Sequence, residues 1–235
     1  MYKGNAIQRK EFSICLQQQH DPSLSGEPAG VIVMGGTNER LNQEEMTYAQ
    51  LVTEGPWFTI YVQAIYLELV TKDDNGKEVT SRIEKLQGID AMEFNQGEII
   101  IDSGSTDNHL PNTMREPFEN AWYEIMKRKY DASEVYSVDG NYPNIVFQLK
   151  AADVSDKDVK RTPAVAFDPD RPKDVIIRVP PENFMLEEEG GGMGLHMNDD
   201  PKEGGMLGAQ TMKGKNILFD NANSRIGFAT SKCEL

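Results

Sequence analysis

Three consecutive isoleucines, Ile99, Ile100 and Ile101, run without interruption into Asp102-Ser103-Gly104-Ser105-Thr106-Asp107, and no other stretch restricts the fold so sharply. A run of β-branched aliphatics without polar alternation reads as a strand buried on both faces. A carboxylate delivered at the end of such a strand costs free energy unless donors hold it. The next residues are suited to that task. Gly104 lets the backbone turn tightly and brings its N–H to the Asp102 carboxylate, and the hydroxyls of Ser103, Ser105 and Thr106 can bond that carboxylate or a partner. The pattern describes a fixed, desolvated acid. Asp-Ser-Gly on its own is also ordinary turn material, so the surrounding chain has to decide between the two readings.

Strands surround this segment. Residues 12–16 form a short one, and Val31 to Met34 another that closes on Gly35-Gly36. Residues 57–70 read as one long strand of mixed alternation, and Lys72-Asp73-Asp74-Asn75-Gly76-Lys77 supplies an Asn-Gly hairpin turn. The Asp-Asp-Asn-Gly run invites a calcium loop, but the ligand spacing and closing Glu of an EF-hand are absent. In residues 113–130, Phe118, Ala121, Trp122, Ile125 and Met126 recur at three- and four-residue spacing, which predicts an amphipathic helix with Pro117 in its first turn and Trp122 in the core. Residues 143–149, 175–181, 217–220 and 225–230 read as further strands. Residues 17–28 form a Pro/Ser/Gly-rich loop, residues 153–160 a charged loop, and residues 38–41 a surface loop. The glycine-rich stretch after Glu187-Glu188-Glu189 has no lysine at P-loop spacing and three glutamates that repel phosphate, so it reads as a hairpin tip. No internal repeat or domain boundary is visible.

The chain of 235 residues carries 38 acidic against 24 basic side chains, a formal charge of −14. That argues against nucleic acid, which needs clustered Lys and Arg, and suits a solvated acidic surface or an acidic, calcium-rich lumen. No apolar run is long enough to cross a bilayer, and Met1-Tyr2-Lys3-Gly4-Asn5 lacks the apolar core of a signal peptide. The three histidines, His20, His109 and His196, read as scattered loop residues without shared ligand spacing, so no metal is expected. A Ser–His hydrolase reading lacks a nucleophile elbow. Cys15 and Cys233 fit either two buried thiols in a reducing compartment or one bridge spanning the domain.

Several of these segments, in this order, resemble the C-terminal lobe of the pepsin-like aspartic proteases. Asp102-Ser103-Gly104 is similar to that family's Asp-Thr/Ser-Gly loop, and Leu110-Pro111 to its hydrophobic-Pro step before a helix. Residues 12–16, 30–36, 205–209 and 217–229 match further segments, so the resemblance covers nearly the whole chain. It implies an all-β fold, a six-stranded barrel-like sheet domain with one or two short helices. It also implies that residues 1–235 are a C-terminal lobe whose first 12 residues are an inter-lobe segment, that Met1 is an internal methionine, and that an N-terminal lobe with any signal and propeptide is missing. Met206-Leu207-Gly208 would lie against the catalytic loop in a psi-shaped crossing, with Gly208 permitting close backbone approach. The resemblance favours a Cys15–Cys233 bridge, and closing so long a loop stabilises by about 4–5 kcal/mol in the chain-entropy treatment.

Proteases of this kind hold one water between two carboxylates, one taking its proton while the other donates to the substrate carbonyl. Asp139-Gly140, Asp220-Asn221 and Asp73-Asp74 lack a hydroxyl residue directly after the acid, so this sequence carries one such loop and half of the chemistry. By resemblance Asp102 is one acid of the dyad, Ser103 reaches across the pseudo-twofold axis, Ser105 bonds the outer oxygen of Asp102, and Gly104 and Thr106 meet the substrate backbone. Asp107 departs from the apolar residue many members carry there. The implied partners are a polypeptide substrate and an N-terminal lobe, with no cofactor, no nucleic acid and no membrane segment in this chain. The implied location is the secretory pathway, lysosome, vacuole or extracellular space. Two other readings remain: a non-catalytic relative that binds or inhibits proteins through the same groove, and two copies pairing as retroviral proteases do. The intact Asp102-Ser103-Gly104 counts against the first.

Overall fold

A computed structural model describes residues 4, 6–18, 29–52, 56–153, 163–185, 194–200 and 203–234. Most of the first loop, including His20, lies outside the described residues, as do residues 154–160 of the charged loop and the glycine-rich residues 187–193.

The chain runs β1 (Glu11–Leu16), β2 (Gly30–Met34), β3 (Thr47–Gln50), β4 (Thr59–Ile60), β5 (Val62–Lys72), β6 (Glu78–Lys85), α1 (Ala91–Phe94), β7 (Ile99–Ile101) and β8 (Asn108–Leu110). It continues with α2 (Arg115–Met126), β9 (Asn144–Leu149), β10 (Val175–Val179), β11 (Leu195–Met197), β12 (Gly205–Leu207), α3 (Ala209–Met212), β13 (Lys215–Asp220) and β14 (Arg225–Thr230). The fold is all-β with a few short helices, as the family resemblance implies. Its strands divide among three sheets, ordered β2-β1-β13-β14-β3, β10-β9-β5-β6 and β11-β8-β12-β7-β4. One apolar core lies between them, drawing Ile65, Leu67, Ile99, Leu110, Phe147, Ile177, Leu207 and Phe219 from all three. None of the helices is long and apolar enough to cross a membrane among the described residues.

The long strand expected over residues 57–70 is two strands in two sheets. β4 pairs with β7, whereas β5 pairs with β6 and β9, and the change falls at Tyr61. The cause is local. The Asn95 side chain takes both main-chain groups of Val62, accepting its N–H at 2.9 Å and donating to its C=O at 2.8 Å. With those groups satisfied by a side chain, Val62 does not extend the β4 ladder, and the β5–β9 register slips between Val62 and Ala64. At the far end of β5 the Asn-Gly turn forms as expected, with Gly76 at φ +76° and Asp73 Oδ1 accepting the N–H groups of Asn75 and Lys77.

Helix α2 is shorter than the periodicity predicts, because Lys127 adopts a left-handed φ of +57° and its N–H donates to Tyr123 C=O, which ends the helix. Phe118, Ala121, Trp122 and Ile125 point inward as predicted, and Trp122 packs edge-on to Tyr130. The expected loop at residues 38–41 contains a single 3-10 turn, Glu39–Leu41, which turns Leu41 inward against a Cys15–Cys233 disulfide. That bridge ties β1 to the segment after β14 across 218 residues of sequence.

Candidate active site

The third sheet is built by a crossing. β7 and β8 are joined by the Asp102 loop, and β12 enters between them, parallel to β7 and antiparallel to β8. Ile99 pairs with Gly205 and Ile101 with Leu207, so β12 ends level with the first residue of the loop, and Asp102 N–H donates to Leu207 C=O at 3.1 Å. This is the psi-shaped crossing expected from Met206-Leu207-Gly208. The Ile99-Ile100-Ile101 strand is buried on one face only. Ile99 and Ile101 lie in the core, while Ile100 is half-buried on the side it shares with Met206 and His109. The expectation of two buried faces fails because isoleucine on a partly covered sheet face looks the same in sequence as isoleucine in the core.

Asp102 is held by its own turn. Gly104 N–H donates to Oδ1 at 2.9 Å and Ser105 Oγ donates to Oδ2 at 2.9 Å. The acid is fixed as expected, but it is half-buried, and Ser103, Gly104 and Thr106 around it are exposed. In this chain Asp102 is therefore only partly withdrawn from solvent, and the desolvation expected from sequence is partial.

The far side of the turn is gripped from below. Gly208 N–H and Thr211 Oγ1 both donate to Asn108 Oδ1, at 3.1 and 2.7 Å. Ala209 N–H and Gln210 N–H, the first amides of α3, donate to the carbonyls of Ser105 and Thr106 at 2.8 and 3.0 Å. Gly208 is required by proximity rather than by its backbone angles: an added Cβ would overlap Asp107 C=O and stand 2.8 Å from the carbonyls of Ser105 and Thr106. Asn108, buried and central to this grip, is not singled out by the sequence, where nothing distinguishes it from a turn residue.

Two of the three histidines correct the expectation of scattered loop residues. His109 lies on β8 and His196 on β11, in register, with their rings stacked at 4.7 Å between centroids. His196 Nε2 also meets Asp107 Oδ2 at 3.2 Å. Parallel pairing of two strands far apart in sequence brings them together, which spacing along the chain could not reveal. Among the described residues no cluster of His, Cys, Asp and Glu has the arrangement of a metal site. A further residue missed from sequence is Trp57, which is 59% exposed beside Phe58, whose C=O accepts the N–H of Ile101 at 3.0 Å. Trp57 thus stands at the end of the sheet that carries Asp102.

Comparison with known proteins adds to this geometry. The family model described as eukaryotic aspartyl protease matches residues 1–231. Plasmepsin VII of Plasmodium falciparum (isolate NF54) is 26% identical over 212 residues, covering 86% of this chain and 43% of that protein. The chain therefore spans less than half the length of this relative.

Proposed function

The chain belongs to the eukaryotic aspartyl protease family, and on that premise we propose that it is one half of a two-carboxylate peptide hydrolase, with Asp102 as its acid. The observation that carries the reading is the Asp102 carboxylate fixed by Gly104 N–H and Ser105 Oγ at the psi crossing, with its surroundings open to solvent. One acid cannot both take a proton from water and give one to the substrate carbonyl. A matching half supplies the second. Two carboxylates that close share a single proton, an effect for which aspartic proteases are the standard worked case, so one is poised as base and the other as acid.

In this arrangement Ser105 holds Asp102 in plane, Ser103 crosses toward the partner loop, and the exposed backbone of Gly104 and Thr106 meets the main chain of a polypeptide substrate. Exposed apolar side chains support a contact with another protein. The apolar face of the first sheet continues past the core onto its edge strand β2. There Ile32, opposite Ile14, is 67% exposed and Met34, opposite Phe12, is 47% exposed. Trp57 is exposed too, and its neighbour Phe58 packs on Phe12 and Phe219. An apolar surface of this kind suits a protein contact. The disulfide fits an oxidising secretory, lysosomal, vacuolar or extracellular setting.

The test is co-expression of the chain with an N-terminal half of the family fold that bears its own Asp-Thr-Gly. Pepstatin-sensitive peptide cleavage at acidic pH is expected, falling by at least a thousandfold in Asp102→Ala. Equal cleavage by the Asp102→Ala complex refutes the assignment.

A further inference from the structure

The Asp102 turn is anchored where it begins, through Asp102 N–H on Leu207 C=O, and beneath its middle, through α3 on the Ser105 and Thr106 carbonyls. Its exit is anchored differently. Asp107, the last loop residue before β8, aims its carboxylate at β11, the edge strand of the sheet. Its side chain is 16% exposed, its Oδ2 meets His196 Nε2, and its Oδ1 is buried with no hydrogen-bond partner among the described residues. A carboxylate in that position is costly, and one strong partner offsets only part of the cost. His196 is in turn fixed by its stack on His109 and by the β8–β11 register, in which Asn108 N–H donates to Gly194 C=O at 2.9 Å.

From this geometry we propose that Asp107 and His196 are a positioning pair that sets the exit of the Asp102 turn. The physical reason lies in the adjacent residue of the chain, Asn108. Its Oδ1 receives the Gly208 and Thr211 donors that hold α3 against the turn. If His196 stops donating, Asp107 is left with a buried carboxylate and no partner, and it must swing toward water. Its main chain is packed against Gly208, so that swing loosens Asn108 and with it the grip on Ser105 and Thr106. The pair touches no reacting atom and acts through the turn. Its consequence for catalysis rests on the protease reading, whereas its consequence for the turn does not.

The two consequences are measured separately. Hydrogen exchange of the chain, followed by NMR, reports the amides of Gly208, Ala209 and Gln210, with the β13–β14 ladder as an internal reference. His196→Phe keeps a ring to stack on His109 and removes the donor, and the three reporting amides are expected to exchange about thirtyfold faster while the reference stays within twofold. His196→Gln returns a donor near the same place and is expected to restore exchange to within about threefold of the original. Unchanged reporting amides in His196→Phe, acceleration equally at the reference amides, or a His196→Gln variant as loose as His196→Phe each overturn the proposal. In the complex with an N-terminal half, His196→Phe is expected to lower kcat about tenfold with KM within twofold, and an equal rise in KM with kcat unchanged counts against a positioning role. If the exchange pattern appears but even the original complex cleaves nothing, the protease reading fails and the positioning pair stands.

Discussion

Placing a single methyl group at Gly208 tests the geometry beneath the turn. In Gly208→Ala the new Cβ would overlap Asp107 C=O and stand 2.8 Å from two more carbonyls, those of Ser105 and Thr106. Neither the Ser105 nor the Thr106 carbonyl can retreat freely, and Gly208 itself is tied down. The Ser105 and Thr106 carbonyls accept from Ala209 and Gln210, and Gly208 N–H donates to Asn108 Oδ1. Relieving the overlap means breaking about two buried hydrogen bonds, at about 1–2 kcal/mol each once a group is left unsatisfied, so about 2–4 kcal/mol in all. With a urea m-value of about 3 kcal/mol/M for a chain of this size, the unfolding midpoint should fall by about 1 M. Gly36→Ala is the control, since its Cβ would meet only Glu11 Oε1 at 3.7 Å, and its midpoint should stay within about 0.2 M, a shift of about 0.5 kcal/mol. Equal midpoints for Gly208→Ala and Gly36→Ala would refute the claim that α3 is packed immovably against the turn.

Glu68, whose side chain is 2% exposed, accepts from Arg178 Nε at 2.6 Å. Burial raises its pKa, but the hydrogen bonds and charge of Arg178, with Thr80 and Asn144, outweigh burial and hold it below the ordinary value. The folded-state value is the lower one, so this stabilisation is complete above the unfolded value of about 4.3 and is lost as pH falls through the folded one. Stability of Glu68→Gln should therefore change less than the original below about pH 4. Arg178→Met should cost about 2–3 kcal/mol, less than for a fully buried pair because part of Arg178 stays in water, and a change below 0.5 kcal/mol in urea unfolding would contradict it. Burial pushes the Lys215 ammonium down to about 8, with partial offsets from Glu182 and Glu44. The cost of holding that charge is present below this value and fades as pH rises toward the unfolded value of about 10.4, so the stability gap between Lys215→Met and the original should narrow over that window. Replacing Cys15 and Cys233 by serine opens a link across 218 residues and should lower stability by about 5 kcal/mol, with a loss under 1 kcal/mol counting against the chain-entropy account.

Local chemistry carried most of what could be read from the sequence. The clasp of Gly104 and Ser105 on the Asp102 carboxylate, the Gly76 hairpin and the three- and four-residue spacing of the inward face of α2 are each written within a few residues, and each appears where the pattern places it. The psi crossing of Met206-Leu207-Gly208 is a non-local contact, and it was legible only through the family resemblance. Features set by distant partners were hidden. The break at Tyr61 depends on Asn95, 33 residues beyond the Val62 it binds. His109 and His196 meet because β11 pairs with β8, and nothing in their 87-residue separation signals it. The half-covered face at Ile100 belongs to the same class, since composition does not say which side of a sheet another layer covers. Short strands such as β8 and β11, three residues each, fall below the length at which alternation carries information.

The sheet change at Tyr61 also determines the reach of the β5–β6 ribbon. β5 has eleven residues, so at about 3.3 Å per residue its tip lies about 35 Å along the chain from that corner. Beyond the register shift at Leu69/Val70 the ribbon is two strands clothed mainly by water, and a side chain built at Gly76 would meet nothing within 4 Å. An epitope, fluorophore or carrier protein grafted between Asn75 and Gly76 would ride at the tip of that arm, where an added side chain has open space around it.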